Sequence, residues 1–210
     1  MKYYQDITLL PDADITLGFL WQKVYQQVHI ALVEQKVDEQ HSDIAVSFPE
    51  FRERGFPLGS KLRVLAKEEA QLKKLDLAKH LARLQDYIHL KSIQPVPASN
   101  SWVAFVRKHI KGQARRDKDT LEKAVLWSKK SGQSFKECLR QLQMSQPKAG
   151  SKLPFVWMES QETKANNPAG SARFPLFIER IDLNEKQEGF FNCYGLSAEC
   201  GAQLTSVPHF

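Results

Sequence analysis

Over about its first hundred residues the chain switches between two hydrophobic periods in a set order, and that order leaves few folds open. Tyr3 to Leu10 alternates and is rich in aromatic and branched residues, then stops at Pro11-Asp12, the pattern of a strand closed by a turn. From about Ile15 to Gln35 the apolar residues Trp21, Val24, Tyr25, Val28 and Leu32 recur three and four apart. That spacing predicts an amphipathic helix, with Asp14 or Thr16 available as its cap. Ile44 to Phe48 and Leu58 to Leu65 read as two strands split by a loop containing Pro and Gly. Lys67 to Leu84 reads as helical and broken near Asp76, and Tyr87 to Val96 as a last strand ending in Pro95 and Pro97. The order is β-α-β-β-α-β, which predicts an α+β chain opening with a ferredoxin-like domain over residues 1–97.

Pro97-Ala98-Ser99-Asn100-Ser101 reads as a connector to a second domain, residues 98–210. There a short apolar piece, Trp102 to Ile110, leads through Lys111-Gly112-Gln113 to a helix expected from about Asp119 to Lys130. Asp119 or Thr120 can cap it, and Gly132 can take the left-handed conformation just past its end. A shorter helix over Ser134 to Leu142 and a loop at Gln146 to Gly150 follow. Phe155 to Met158, Phe174 to Ile181 and Gly189 to Tyr194 read as strands, with an Asn/Pro/Gly-rich loop at Asn166 to Ser171. The second domain is thus expected to hold one basic helix and a small antiparallel β-sheet.

Charge concentrates in this second half. Arg107 to Arg140 carries eleven Lys or Arg against four acids, leaving 19 basic and 20 acidic residues elsewhere. Such a local segment suits a polyanion, most simply nucleic-acid phosphates, whose neutralisation releases counterions; a solvated Lys-rich helix face is the other reading. With 42% hydrophobic residues the composition is that of a globular protein. No apolar run approaches the roughly 20 residues of a membrane span, so the chain is expected in the cytoplasm, away from membranes. Cys138, Cys193 and Cys200 form no CxxC pair, which favours free thiols. The six histidines are scattered, and no metal site is visible.

Three strings belong together: Val28-His29-Ile30-Ala31-Leu32-Val33, then Leu153-Pro154-Phe155-Val156 leading to Ser160-Gln161, and Gly189-Phe190-Phe191-Asn192-Cys193-Tyr194-Gly195-Leu196-Ser197. Together they resemble the type I-F CRISPR repeat-processing endoribonuclease. Ser47-Phe48-Pro49, Arg173-Phe174-Pro175-Leu176-Phe177-Ile178 and the ending Val207-Pro208-His209-Phe210 share that likeness, which covers nearly the whole chain in order. The resemblance implies a cut at the foot of the hairpin in each CRISPR repeat, without metal or cofactor. The enzyme would then stay on the RNA as a subunit of the surveillance complex, beside its adjacent backbone subunit. A Tn7-like transposon variant, whose complex engages a transposition adaptor protein, falls within the same likeness.

Such a cut uses the substrate's own 2′-hydroxyl, and a histidine suits the proton transfer because its unperturbed pKa of about 6.5 lies near neutral. The resemblance makes His29 the general base; read alone, a histidine among Tyr25, Leu32 and Val33 is a structural residue. Ser160 matches a serine that holds the sugar, Tyr194 a tyrosine near His29, and Phe174 an aromatic that stacks on the closing base pair. Read alone these are a turn cap and two core aromatics. Where the family often has a second serine this chain has Glu162, then Thr163, so Glu162 turns away or Thr163 takes the phosphate contact.

The family's arginine-rich helix is thinner in charge here, resting on Lys123, Lys129 and Lys130, which give point-charge phosphate contacts without arginine's fork. The family's Arg-x-Gln base-reading pair has its counterpart in Gln113-Ala114-Arg115-Arg116, with Arg115 a candidate for a guanine and Gln113 for an adenine. Loop solvation is the alternative for these residues. Two competing functions remain: a catalytically silent hairpin cap with the same fold, and a DNA-binding regulator, the latter disfavoured by the lack of a helix-turn-helix pattern.

Overall fold

Strand β1 (Tyr3–Leu9) forms where the alternation predicts it and runs antiparallel to β4 (Lys61–Ala66), from Tyr3↔Ala66 to Thr8↔Lys61. The computed structural model describes residues 1–38, 41–53, 55–110, 113–145, 153–160, 172–198 and 203–210, with the backbone alone at 113–117, 143 and 145. Beyond β4 lies β3 (Ala45–Ser47), and on the other side of β1 lies β5 (Ile88–Leu90), giving the order β3-β4-β1-β5. The strand expected over Tyr87 to Val96 divides: β5 pairs with Ile7 to Leu9, and β6 (Gln94–Pro95) pairs with Tyr3 and Tyr4. Between them the Gln5 side chain donates to the Lys91 carbonyl at 2.9 Å, satisfying an acceptor that the ladder leaves open.

Helix α1 (Leu17–Glu34) buries Leu20, Trp21, Val24, Tyr25, Val28, Ala31 and Leu32, the stripe set by their spacing. Thr16, not Asp14, is its cap and accepts from the Phe19 amide; Asp12 instead closes the preceding turn by accepting from Asp14 and Ile15. Two large buried side chains on α1 keep their polar tips satisfied. Trp21 donates to the Gly59 carbonyl at 2.8 Å and the Tyr25 hydroxyl to the Tyr194 carbonyl at 3.0 Å. The second helical stretch is broken where expected: Asp76 adopts φ 44° between α2 (Glu69–Leu75) and α3 (Leu77–His80). Its carboxylate accepts from the Lys79 amide, which helps an aspartate hold that conformation. The remainder is a 3₁₀ segment, Ala82–Tyr87, not an α-helix reaching Leu84.

A four-stranded antiparallel sheet follows in the order β11-β7-β9-β8, from β7 (Trp102–Lys108), β8 (Phe155–Glu159), β9 (Arg173–Leu183) and β11 (Val207–Pro208). A short ribbon pairs β2 (His41–Ser42) with β10 (Phe191–Asn192). Phe105 of β7 meets Phe48 edge-on, ring centroids 5.0 Å apart, and Phe51 at 5.7 Å, so the two sheets share one core. The strand expected over Gly189 to Tyr194 is only Phe191–Asn192. Asn192 then turns the chain: its side-chain oxygen accepts from the amides of Tyr194 (2.9 Å) and Leu196 (3.2 Å), displacing ladder bonds.

The basic segment forms α4 (Gln113–Ser131) and α5 (Phe135–Ser145), which pack on each other with Ala124 and Cys138 buried. Helix α4 begins well before Asp119, so Gln113, Arg115 and Arg116 are helical residues and not a loop. Nothing in Gln113 to Ser131 breaks a helix, for the stretch contains neither Gly nor Pro. Gly132, at φ 71°, ends it as expected. Contacts divide the chain into two compact units, Met1–Lys108 with Leu153–Phe210, and His109–Lys152. The boundary expected at 97/98 coincides with the passage between the two sheets and not with the division between compact units. The calls on loops at Lys111-Gly112, Gln146 to Gly150 and Asn166 to Ser171, and on Cys200, lie outside the described residues.

Candidate active site

His29 sits on α1 between the buried Val28 and the partly exposed Ile30, at the margin of the helix's core face. Its Nδ1 lies 2.9 Å from the Cys193 carbonyl oxygen. A carbonyl only accepts, so the bond places the proton on Nδ1 and leaves the lone pair on Nε2. Burial pushes the imidazole's pKa below the usual histidine value; the Cys193 carbonyl opposes the shift and the Arg107 charge adds to it. The ring is therefore neutral at pH 7, the form a general base requires.

The Cys193 carbonyl is positioned by the turn after β10. Gly195 holds φ 72° there, and a Cβ on it would stand 2.5 Å from Val46 Cγ2, so only glycine fits. The Gly195 carbonyl accepts from the Val46 amide at 2.8 Å, and Tyr25 reaches the next carbonyl upstream, so α1 and β3 both grip the turn. Tyr194 lays its ring on His29, centroids 4.3 Å apart and planes 11° apart. Burial pushes the Tyr194 phenol up, while Arg107 pulls it down by its charge and a hydrogen bond. Tyr194 therefore remains a hydrogen-bond donor at neutral pH.

Ser160 follows the last residue of β8, and its amide donates to the Ala172 carbonyl at 2.8 Å. The adjoining Glu159 is clasped by Gln26 of α1, which accepts from its amide (2.9 Å) and donates to its carbonyl (3.2 Å). That clasp sets where β8 ends relative to α1. His29, Ser160, Phe174 and Tyr194 consequently line one cleft of about 410 Å³, together with Glu159 and Cys193.

One residue of this site escapes sequence reasoning. Arg107, near the end of β7, brings its guanidinium carbon 5.0 Å from the Tyr194 ring centroid and 5.5 Å from that of Phe174. In the sequence it is merely the first cation of the basic run; only the register of β7 on β9, Arg107↔Ile178, reveals its place. Arg107→Gln should raise the His29 pKa, because a positive charge that disfavours the imidazolium is lost. In a reaction that needs neutral His29, the acid limb of the kcat/KM profile, which reports the free enzyme, then moves to higher pH.

Other sequence candidates belong to the smaller compact unit or lie outside the described residues. Lys123, Lys129 and Lys130 are exposed on α4, in the smaller compact unit. Gln113, Arg115 and Arg116 share that helix. Thr163 and Glu162 lie outside the described residues. Among the described residues no group of three His, Cys, Asp or Glu could hold a metal ion, and no helix is long and apolar enough to cross a membrane.

Comparison with known proteins finds likeness along the whole chain. A family profile described as CRISPR-associated protein (Cas_Csy4) matches residues 4–210. The CRISPR-associated endonuclease Cas6/Csy4 of Pseudomonas aeruginosa (strain UCBPP-PA14) is 30% identical over 198 residues, 94% of this chain and 96% of that protein. The protein of the same description from Escherichia coli (strain UTI89 / UPEC) is 28% identical over 211 residues and covers both chains fully. The solved structure of an RAMP protein binding different RNA substrates covers 99% of this chain at 11% identity, with a TM-score of 0.35, too remote a likeness to bear on fold or function.

Proposed function

The chain belongs to the CRISPR-associated Csy4 family, and on that premise we propose that it is an endoribonuclease cutting CRISPR precursor RNA at the base of each repeat hairpin. The observation that carries the reading is the Nδ1 bond from His29 to the Cys193 carbonyl, which presents a neutral Nε2 in the cleft shared with Ser160 and Phe174. The strand order β3-β4-β1-β5 supports reading residues 1–97 as a ferredoxin-like domain, a frame common among RNA-binding modules but silent on activity by itself.

His29 Nε2 takes the proton of the 2′-hydroxyl as its oxygen bonds to phosphorus. The P–O5′ bond breaks, the electron pair leaves on O5′, that oxygen takes a proton from water, and His29 returns its proton to the solvent. The products are a 2′,3′-cyclic phosphate and a 5′-hydroxyl, and no step is routed through a metal. Ser160 holds the ribose, and Tyr194 keeps the imidazole plane fixed. Arg107 supplies a permanent positive charge where negative charge grows on the phosphate oxygens. Phe174 stacks on the closing base pair of the stem, worth on the order of 1–3 kcal/mol.

The hairpin itself is held by Lys123, Lys129 and Lys130 of α4. Gln113, Arg115 and Arg116 lie earlier on the same helix, and Thr163 serves the phosphate beside the cut. After cleavage the protein keeps the hairpin and joins the RNA-guided complex next to its backbone subunit.

A repeat RNA with a single 2′-deoxy substitution at the cut nucleotide tests the mechanism. In EDTA the all-ribose hairpin is expected to be cut to a cyclic phosphate end, and the deoxy hairpin to bind equally well and stay whole. Cleavage of the deoxy hairpin, or a need for added metal, would overturn the mechanism. Tight binding with no cut in either RNA would make the protein a hairpin cap instead.

A further inference from the structure

A second groove of about 560 Å³ adjoins the His29 cleft and is lined by α1 and by the stretch formed by α3 and the 3₁₀ segment. The two share Ile30 and Glu159 in their walls, so they adjoin one another. Its chemistry differs from that of the cleft. Lys23 and Gln27 line it from α1, and Lys79, His80 and Arg83 from the opposite side. Glu159 is the one carboxylate among its described lining residues.

What sets these cations apart is that they are left unneutralised together, around one concave surface. Some other lysines and arginines of the unit pair with carboxylates, as in Lys61–Glu50, Lys73–Glu69, Lys108–Glu179 and Arg180–Asp182. Among the described residues no carboxylate pairs with Lys79 or Arg83, and the Lys23 ammonium sits over the Phe19 ring, 5.3 Å from its centroid. His80 faces Glu34 at 3.6 Å, at the side where the groove meets the cleft. A concave surface with three such cations and three glutamines, Gln22, Gln26 and Gln27, matches a flexible polyanion better than a small neutral ligand.

We infer that this groove holds the single-stranded RNA on the leaving side of the cut, 3′ of the scissile phosphate. The inference rests on the proposed endoribonuclease reading. In-line attack requires the departing O5′ to lie opposite the attacking 2′-oxygen, so the downstream strand must leave the phosphorus away from the ribose held at Ser160. The groove adjoins the cleft at Glu159 and lies along α1 from Ile30 back to Lys23. Phosphates there would lie against Lys23, Lys79 and Arg83.

The test compares wild type with Lys23→Ala/Lys79→Ala/Arg83→Ala on two repeat hairpins, one ending a single nucleotide past the cut and one extended by several. All three residues are exposed or at the rim of the fold, and a melting curve checks that the variant is folded. The wild type is expected to favour the extended RNA by on the order of tenfold in kcat/KM at low salt, and the variant to lose that preference while cutting the short RNA as the wild type does. The slope of log affinity against log salt for the extended RNA should fall by about 0.7 for each phosphate contact removed, roughly 2 in all. Equal effects on both RNAs, or none on either, would overturn the inference. The same comparison by gel shift on 2′-deoxy hairpins reads the flank contact whether or not the protein cuts. Loss of cleavage would therefore count against the endoribonuclease reading alone.

Discussion

His29→Ala is expected to lower the single-turnover cleavage rate by roughly 10²–10⁴-fold while leaving hairpin affinity close to that of the wild type. The rate falls because the other groups in the cleft are poor substitutes as a base: burial holds the Tyr194 phenol protonated, a serine hydroxyl is not basic, and a carboxylate such as that of Glu34 or Glu159 is a weaker base than imidazole. Affinity persists because the imidazole is a small part of the RNA surface, and the stacking and phosphate contacts lie on other residues. The substitution leaves the Cys193 carbonyl without its donor, at a cost of about 1 kcal/mol, too little to unfold the chain. Cleavage and gel shift on one labelled repeat RNA, read together, check both halves. A variant that cuts normally would remove His29 from the chemistry, and one that neither binds nor cuts would make it structural.

Asp6→Asn should produce the largest loss of stability. Asp6 and Arg63 face each other across β1 and β4 and are 2% and 5% exposed. Two parallel bonds join them, Nε to Oδ1 at 2.7 Å and Nη2 to Oδ2 at 3.0 Å. The third guanidinium nitrogen donates to the Phe210 carbonyl at 2.7 Å, and the Phe210 and Tyr4 rings stand 3.8 Å and 4.7 Å from the guanidinium carbon. Asparagine has nearly the same shape but leaves the guanidinium buried without its counter-charge. The expected cost is about 3–5 kcal/mol, or roughly 6–20 °C in Tm. Glu69→Gln is the matched control, since it breaks an exposed pair with Lys73 and should cost no more than about 0.5 kcal/mol. Urea titration of the three proteins measures the difference; an effect for Asp6→Asn as small as the control's would show that the pair carries little of the fold.

Elements that bury one face were legible in the sequence. The alternation of β1 and the three-and-four spacing from Trp21 to Leu32 are consequences of which side of each element meets the core, so local reading finds them. The turn at 192–196 was not, because Phe190-Phe191-Asn192-Cys193-Tyr194 has a strand's composition while the Asn192 side chain takes the amides a strand would use. The start of α4 is hidden for a related reason: Lys111-Gly112-Gln113 has loop-like punctuation, yet the residues after it are good helix formers. His29, Ser160 and Tyr194 could be matched through family likeness, but their meeting in one cleft is a product of tertiary packing with no local signal. Arg107 shows the limit most clearly. Its charge blended into the basic run, and only strand register separates it from its neighbours.

The hold on His29 has an evolutionary consequence. The atom that orients the imidazole belongs to the peptide backbone, so the identity of the side chain at 193 is invisible to the contact. Descendants of this chain can exchange Cys193 for other residues that tolerate the same bend and inherit the ring's tautomer unchanged. Asn192 and Gly195 lack that latitude, for they bend the chain. What is heritable at this site is a curve in the backbone, and neutral drift at 193 erodes the sequence signal of the site without eroding its chemistry.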